Sequence, residues 1–291
     1  MISVCIQGGA TRSIYCIGAV RALTERRSSK DVSAIHAASA GCVAGAVLAG
    51  QLSGSAPSDT HATMEEFLGR LAGKRFIDER RLSGVVDVDY LVDVIRDITK
   101  ITPLSLASQG ITFEVAATNA RNAQATYFDL SRLDGEEALT KALLATMAIP
   151  VLYRLPVVIS DVRYVDGGIV DPLPVFRALL HEGVRTVVAI SNVPFGELAE
   201  EAKGKEKVIL RVAPGISQAV RNLMLTRNPL ADATETALSA GTVNGVRLVH
   251  VSPSRPELLT SRTEVDKIKL RQLEAMGYED AVAAFDKAGL D

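Results

Sequence analysis

No run in this sequence is apolar over a length that would cross a bilayer, and no basic stretch precedes its first apolar segment, Ile2–Ile6. It therefore reads as a chain without a membrane span or a secretion signal. Blocks of lysine or arginine are missing too: 32 basic residues stand against 34 acidic ones, for a net charge of -2. That balance excludes a nucleic-acid footprint and a strong electrostatic hold on a membrane. Any meeting with a membrane surface is expected to be apolar and transient. Cysteine is scarce, and Cys5, Cys16 and Cys42 are an odd number set in apolar segments without metal-ligand spacing. They read as buried free thiols of a reducing compartment, so a cytoplasmic location is expected. No Asp, Glu and His cluster has ligand spacing, and neither a metal nor another cofactor is expected. With no linker, repeat or low-complexity stretch and 47% hydrophobic residues, the 291 residues are expected to bury one core as a single domain, 1–291.

What is present centres on residues 33–50. A short apolar strand gives way there to a run of small apolar residues, and the period changes at Ser39. A hydroxyl on such a turn stands above the sheet edge at the positive end of a helix, which suits a nucleophile or an anion contact. A helix N-cap is the plainer reading of the same serine. Upstream, Ile2–Ile6 runs into Gln7-Gly8-Gly9-Ala10-Thr11-Arg12-Ser13, followed by Ile14, Ile17, Val20 and Leu23 at helical spacing to about Arg26. This strand, glycine turn and helix presents backbone N–H groups that can hold a negative oxygen. A nucleotide-phosphate loop is disfavoured, because neither Gly-Lys-Ser/Thr nor Gly-x-Gly-x-x-Gly is present.

Residues 54–110 read as a helical insertion over the sheet. Its first helix, 60–74, carries the stripe Met64, Phe67, Leu68 and Leu71, which either packs on the core or forms a lid over a pocket. A second helix holds Val88, Leu91, Val92 and Ile95 and ends before Pro103. Strands follow at 111–118 and 125–130, and a helix at 136–147. The last third alternates a helix at 174–181 with strands at 184–190, 208–212 and 246–251, around a charged loop at 203–207. Two closing helices are expected, 264–275 and 278–288. The alternation implies an α/β protein with a mostly parallel sheet.

A serine nucleophile needs a base, commonly a histidine. Four histidines are available. His36 sits on the strand leading to Ser39, while His61 and His181 read as solvated. His250, between Val249 and Val251, completes a serine, acid, histidine order with Ser39 and Asp166 but reads as packed inside a strand. A direct Ser39–Asp166 dyad is the better reading, since a carboxylate in a dry pocket gains basicity.

Gly8-Gly9-Ala10-Thr11-Arg12-Ser13, then Ala37-Ala38-Ser39-Ala40-Gly41, then 145–150 and Tyr164-Val165-Asp166-Gly167-Gly168 with Asp171-Pro172-Leu173-Pro174 occur in that order. Together they resemble the patatin-like phospholipases over residues 1 to about 190. The resemblance implies a three-layer α/β/α patatin-like fold with a mostly parallel central sheet. It implies a serine lipid acyl hydrolase on phospholipids or lysophospholipids, with Ser39 as nucleophile and Asp166 as base. The oxyanion hole would come from the N–H groups of Gly8, Gly9 and Ala10, with Arg12 supporting that loop or meeting the lipid phosphate. A thioesterase or acyltransferase on the same site, or a silent lipid-binding protein, are the alternatives. Ala10, Ser13 and Ala37 replace family glycines, which matters wherever φ is positive. Asp171 stands where the family often has asparagine and reads as an N-cap for the helix after Pro174.

Overall fold

The computed structural model describes residues 1–57, 59–72, 75–78, 86–150, 152–153, 156–198 and 215–291. The strand expected at 208–212 and the charged loop at 203–207 lie outside these residues. Strands β1 (Ile2–Ile6), β2 (Val32–Ala38), β3 (Thr112–Asn119), β4 (Ala125–Asp129), β5 (Val157–Ile159), β6 (Val162–Asp166), β7 (Thr186–Ile190), β8 (Thr242–Val243) and β9 (Val246–Val251) form one sheet. Its order is β5-β6-β3-β2-β1-β7-β9-β8, with β4 also paired to β3. The five central strands β3, β2, β1, β7 and β9 are parallel, and β4, β5, β6 and β8 add antiparallel edges.

Covered on both faces, the central strands are apolar on both faces, as parallel strands must be. In β1, Val4 and Ile6 join the larger core cluster while Cys5 between them joins the opposite one; in β7, Val188 and Ile190 oppose Val187 and Ala189 in the same way. One helical layer holds α1 (Ser13–Thr24), α2 (Gly41–Ser53), α3 (Thr60–Leu71), α4 (Val88–Thr99), α5 (Pro103–Ser108) and α6 (Gly135–Met147). On the other face α7 (Val175–Leu179) packs on the sheet; α8 (Gln218–Leu225) and α9 (Pro229–Ala240) follow, and α10 (Lys267–Ala288) returns to the first layer. The fold is the three-layer α/β/α arrangement with a mostly parallel sheet. Residues 41 to 50 of α2 are buried on every side, which accounts for a helix with no polar face.

The two closing helices expected around Gly277 are one continuous helix, α10. Gly277 does not end it; a Cβ there would lie 2.0 Å from the Tyr15 carbonyl oxygen, and one on Gly18 would lie 2.0 Å from that of Glu274. The two glycines let α1 and α10 touch backbone to backbone. In the insertion, Met64, Phe67, Leu68 and Leu71 are all buried in the larger cluster. The stripe on α3 thus faces the core. Among the described residues no helix is long and apolar enough to cross a membrane.

Candidate active site

The C-terminal ends of β1, β2 and β7 lie side by side, and the site is built where they stop. Ser39 occupies the step between β2 and α2 with φ 54°, a left-handed conformation that costs an L residue about 1–2 kcal/mol. The N-cap of α2 is Ala40, and the Ser39 side chain makes no capping bond, which overturns the N-cap reading. Instead its hydroxyl donates to Oδ2 of Asp166 at 2.5 Å. The Ser39 N–H is anchored on Thr146 Oγ1 at 2.9 Å, so the strained turn is held from α6. Gly41 permits the tight approach to β1, since a Cβ there would fall 2.6 Å from the Ile6 carbonyl oxygen.

Asp166 closes β6, where antiparallel pairing with β3 sets it opposite Ala117. Its Oδ1 accepts from the Gly168 N–H at 2.7 Å, its N–H donates to the Ala148 carbonyl, and its carbonyl accepts from Thr118 Oγ1 at 2.7 Å. The side chain is almost fully buried, and burial pushes its carboxyl up to about 7 against the opposing pull of Ser39, the Gly168 N–H and the Arg262 charge. A carboxyl with that affinity can take a proton near neutral pH and give it back.

The loop after β1 runs past Ser39. A Cβ on Gly8 would lie 2.3 Å from Ser39 Cβ, so only glycine fits there. Among the described residues the N–H groups of Gly8, Gly9 and Ala10 donate to no acceptor. Arg12 Nε donates to the Thr260 carbonyl at 2.7 Å, and Thr11 donates through both N–H and Oγ1 to the Arg262 carbonyl. Of the two uses expected for Arg12, loop support is the one its Nε makes. The replaced glycines divide by conformation. Ser13 has φ -59° and donates to the Ala10 carbonyl at 2.8 Å, and Ala37 is an ordinary residue of β2. Ala10, by contrast, has φ 50°. Ala10→Gly is expected to raise stability by up to about 1 kcal/mol, the strain relieved exceeding the entropy added to the unfolded chain, without loss of activity. Chemical denaturation checks this, and a lower midpoint would refute it.

The histidines lie elsewhere. His250 Nε2 meets Ser191 Oγ at 2.9 Å, and burial pushes its imidazole down to about 4. His36 Nδ1 is 3.0 Å from Glu114 Oε2 on the opposite face of the sheet, and Glu114 also binds Arg177. His181 is half-buried beside His36 rather than solvated, and His61 is exposed. Asp171 is not an N-cap: α7 starts four residues later behind Pro174, and the Asp171 carboxylate accepts from the Tyr127 hydroxyl at 2.6 Å. Beside Ser39 opens a narrow cavity of about 20 Å³ walled by Ala10, Met147 and Ile149 on one side and by Phe76, Val88 and Leu91 of the insertion on the other. These walls are apolar, and they fit a hydrocarbon chain better than a polar group.

Two further polar residues belong to the site. Thr146, within the 145–150 motif, holds Ser39, and fully buried Asn192, just past β7 and in no motif, bonds the loop carrying Gly8. The sequence profile of the patatin-like phospholipases matches residues 4–179. The chain belongs to that family. Its members are hydrolases of ester bonds, and the matched stretch holds Gly8, Ser39 and Asp166. The uncharacterized protein YjjU of Escherichia coli strain K12 is 30% identical over 137 residues, which cover 46% of this chain and 35% of that protein. Among solved structures, VipD from Legionella pneumophila aligns over 98% of this chain and 66% of its own, at 11% identity and a TM-score of 0.46. ExoU in complex with SpcU, from the type III secretion system of Pseudomonas aeruginosa, aligns over 98% and 51% at 15% identity and a TM-score of 0.38. The chain thus spans about a third to two thirds of the lengths of these relatives.

Proposed function

We propose that this patatin-like chain is a serine lipid acyl hydrolase that cleaves fatty-acyl esters of phospholipids or lysophospholipids through an acyl-enzyme. The observation that carries the reading is the 2.5 Å hydrogen bond from Ser39 Oγ to a buried Asp166 at the mouth of an apolar cavity. As Ser39 Oγ forms its bond to the acyl carbon, its proton passes to Asp166 Oδ2 and the carbonyl oxygen gains negative charge. The N–H groups of Gly8, Gly9 and Ala10 are the donors available to that oxygen. Collapse breaks the ester bond, and the departing alkoxide takes the proton from Asp166. Water then attacks the acyl-serine by the same route, with Asp166 again as base. The acyl chain would enter between α6 and the insertion, and the narrow cavity there must widen to take it. Arg262 is exposed, and its charge is felt at Asp166, which favours an anionic head group over a neutral one.

The pure protein, incubated with a mixed lipid extract and assayed by mass spectrometry, is expected to release free fatty acid from phospholipids or lysophospholipids faster than from triacylglycerol. Transfer of the acyl group to another lipid would make it an acyltransferase. Unchanged lipids recovered with the protein would leave a binding protein.

A further inference from the structure

The glycine loop is a single layer of chain between Ser39 and Asn192. On one side a Cβ at Gly8 would meet Ser39; on the other a Cβ at Gly9 would lie 2.4 Å from Asn192 Oδ1. Asn192 is fully buried and tied to the loop in a reciprocal way. Its N–H donates to Gln7 Oε1 at 2.8 Å, while its own amide nitrogen donates to the carbonyls of Gln7 at 3.3 Å and Gly8 at 3.1 Å. In a trans peptide the N–H points opposite to the C=O of the same unit. Two consecutive carbonyls drawn toward Asn192 therefore turn the next two N–H groups, those of Gly8 and Gly9, away from it and toward the side on which Ser39 stands. A hydrogen bond accepted by a carbonyl also polarises its peptide unit and strengthens the N–H as a donor.

From this geometry we propose that Asn192 is a positioning residue that aims the Gly8 and Gly9 N–H groups at the oxygen of the reacting carbonyl, an inference that rests on the hydrolase reading above. Asn192 Oδ1 has no hydrogen-bond partner among the described residues. A buried amide kept with its acceptor unpaired is a cost to folding, and stability alone does not account for it. The amide nitrogen faces the loop because both neighbours there are acceptors. The residue lies beyond the stretch that matches the family, just past a strand whose adjacency to β1 is a matter of sheet order.

Asn192→Leu, close in volume but without donors, and Asn192→Ala test it in the full chain with a soluble p-nitrophenyl ester and a fluorophosphonate. The expected result is a kcat lower by about a hundredfold, KM within about threefold of wild type and an equally slowed phosphonylation of Ser39. A purely packing role would not confine the loss to kcat. A folded variant with kcat within about threefold of wild type, or a loss carried by KM alone, overturns the inference. Failure of both variants to fold also overturns it and makes Asn192 a structural residue. Wild-type protein without Ser39-dependent hydrolysis would instead overturn the hydrolase reading, whatever the Asn192 variants do.

Discussion

Ser39→Ala is expected to lower ester hydrolysis by roughly 10⁴-fold or more, and a fluorophosphonate to label Ser39 alone in the wild-type protein. The reasoning is geometric. Ser39 combines a hydroxyl already donating to a buried carboxylate, a cavity at its side and N–H groups of the neighbouring loop that bond no acceptor among the described residues. Ser191 is the useful contrast. It also touches a titratable partner, His250 Nε2, yet its hydroxyl is within bonding distance of two carbonyls, that of Val193 at 3.1 Å and that of Val251 at 3.5 Å. Alanine keeps the Cβ and removes only the hydroxyl, so the variant's melting temperature should stay within a few degrees. Labelling of another serine, or full hydrolysis by folded Ser39→Ala, would put the nucleophile elsewhere.

Asp166→Asn should cost at least about a hundredfold in kcat, because the amide can still accept from Ser39 but cannot take its proton. In the wild-type enzyme kcat/KM should rise with pH through an apparent pKa near 7, the value to which burial lifts this carboxyl. The stability consequence has the opposite sense. A carboxyl whose folded pKa lies above its unfolded one contributes stability that is complete below about pH 4 and is lost as pH rises through about 7. Asparagine has no such loss, so Asp166→Asn should match the wild type in acid and exceed it above pH 7, by as much as about 4 kcal/mol. Denaturation midpoints at pH 4 and pH 8 decide the point. An inactive variant that is also less stable at pH 8 would mean that Asp166 is held as a structural anion.

The parts of the fold that the sequence discloses are those written in local periodicity. Ile2–Ile6 and the turn at Gly8 and Gly9, the change of period at Ser39 and the all-apolar α2 each follow from a few consecutive residues. Gly277 was ambiguous for a physical reason: the same missing Cβ that ends a helix lets two helices touch, and only the position of Tyr15 decides between them. Asp171 before Pro-Leu-Pro has the look of a cap, but its partner, the Tyr127 hydroxyl, is 44 residues away in sequence. Asn192 carries no motif at all. Its closeness to Gly8 depends on β7 lying beside β1, and that pairing joins residues more than 180 positions apart. The apolar stripe of α3 shows that a buried face can be read from spacing, whereas what it is buried against cannot.

The loop that carries Gly8 and Gly9 is held from the far end of the chain: Arg12 by the Thr260 carbonyl, Thr11 by that of Arg262, and α1 by the close passage of Gly277. During synthesis those supports leave the ribosome after both Ser39 and Asp166. At about 5–20 residues per second, the interval between Asp166 and Gly277 is on the order of ten seconds. Through that time a nascent chain has both reacting side chains but lacks the residues that brace the loop opposite them. Contacts of such long sequence separation are also slow to form. The loop opposite Ser39 and Asp166 therefore gains its braces only when nearly the whole chain has been made.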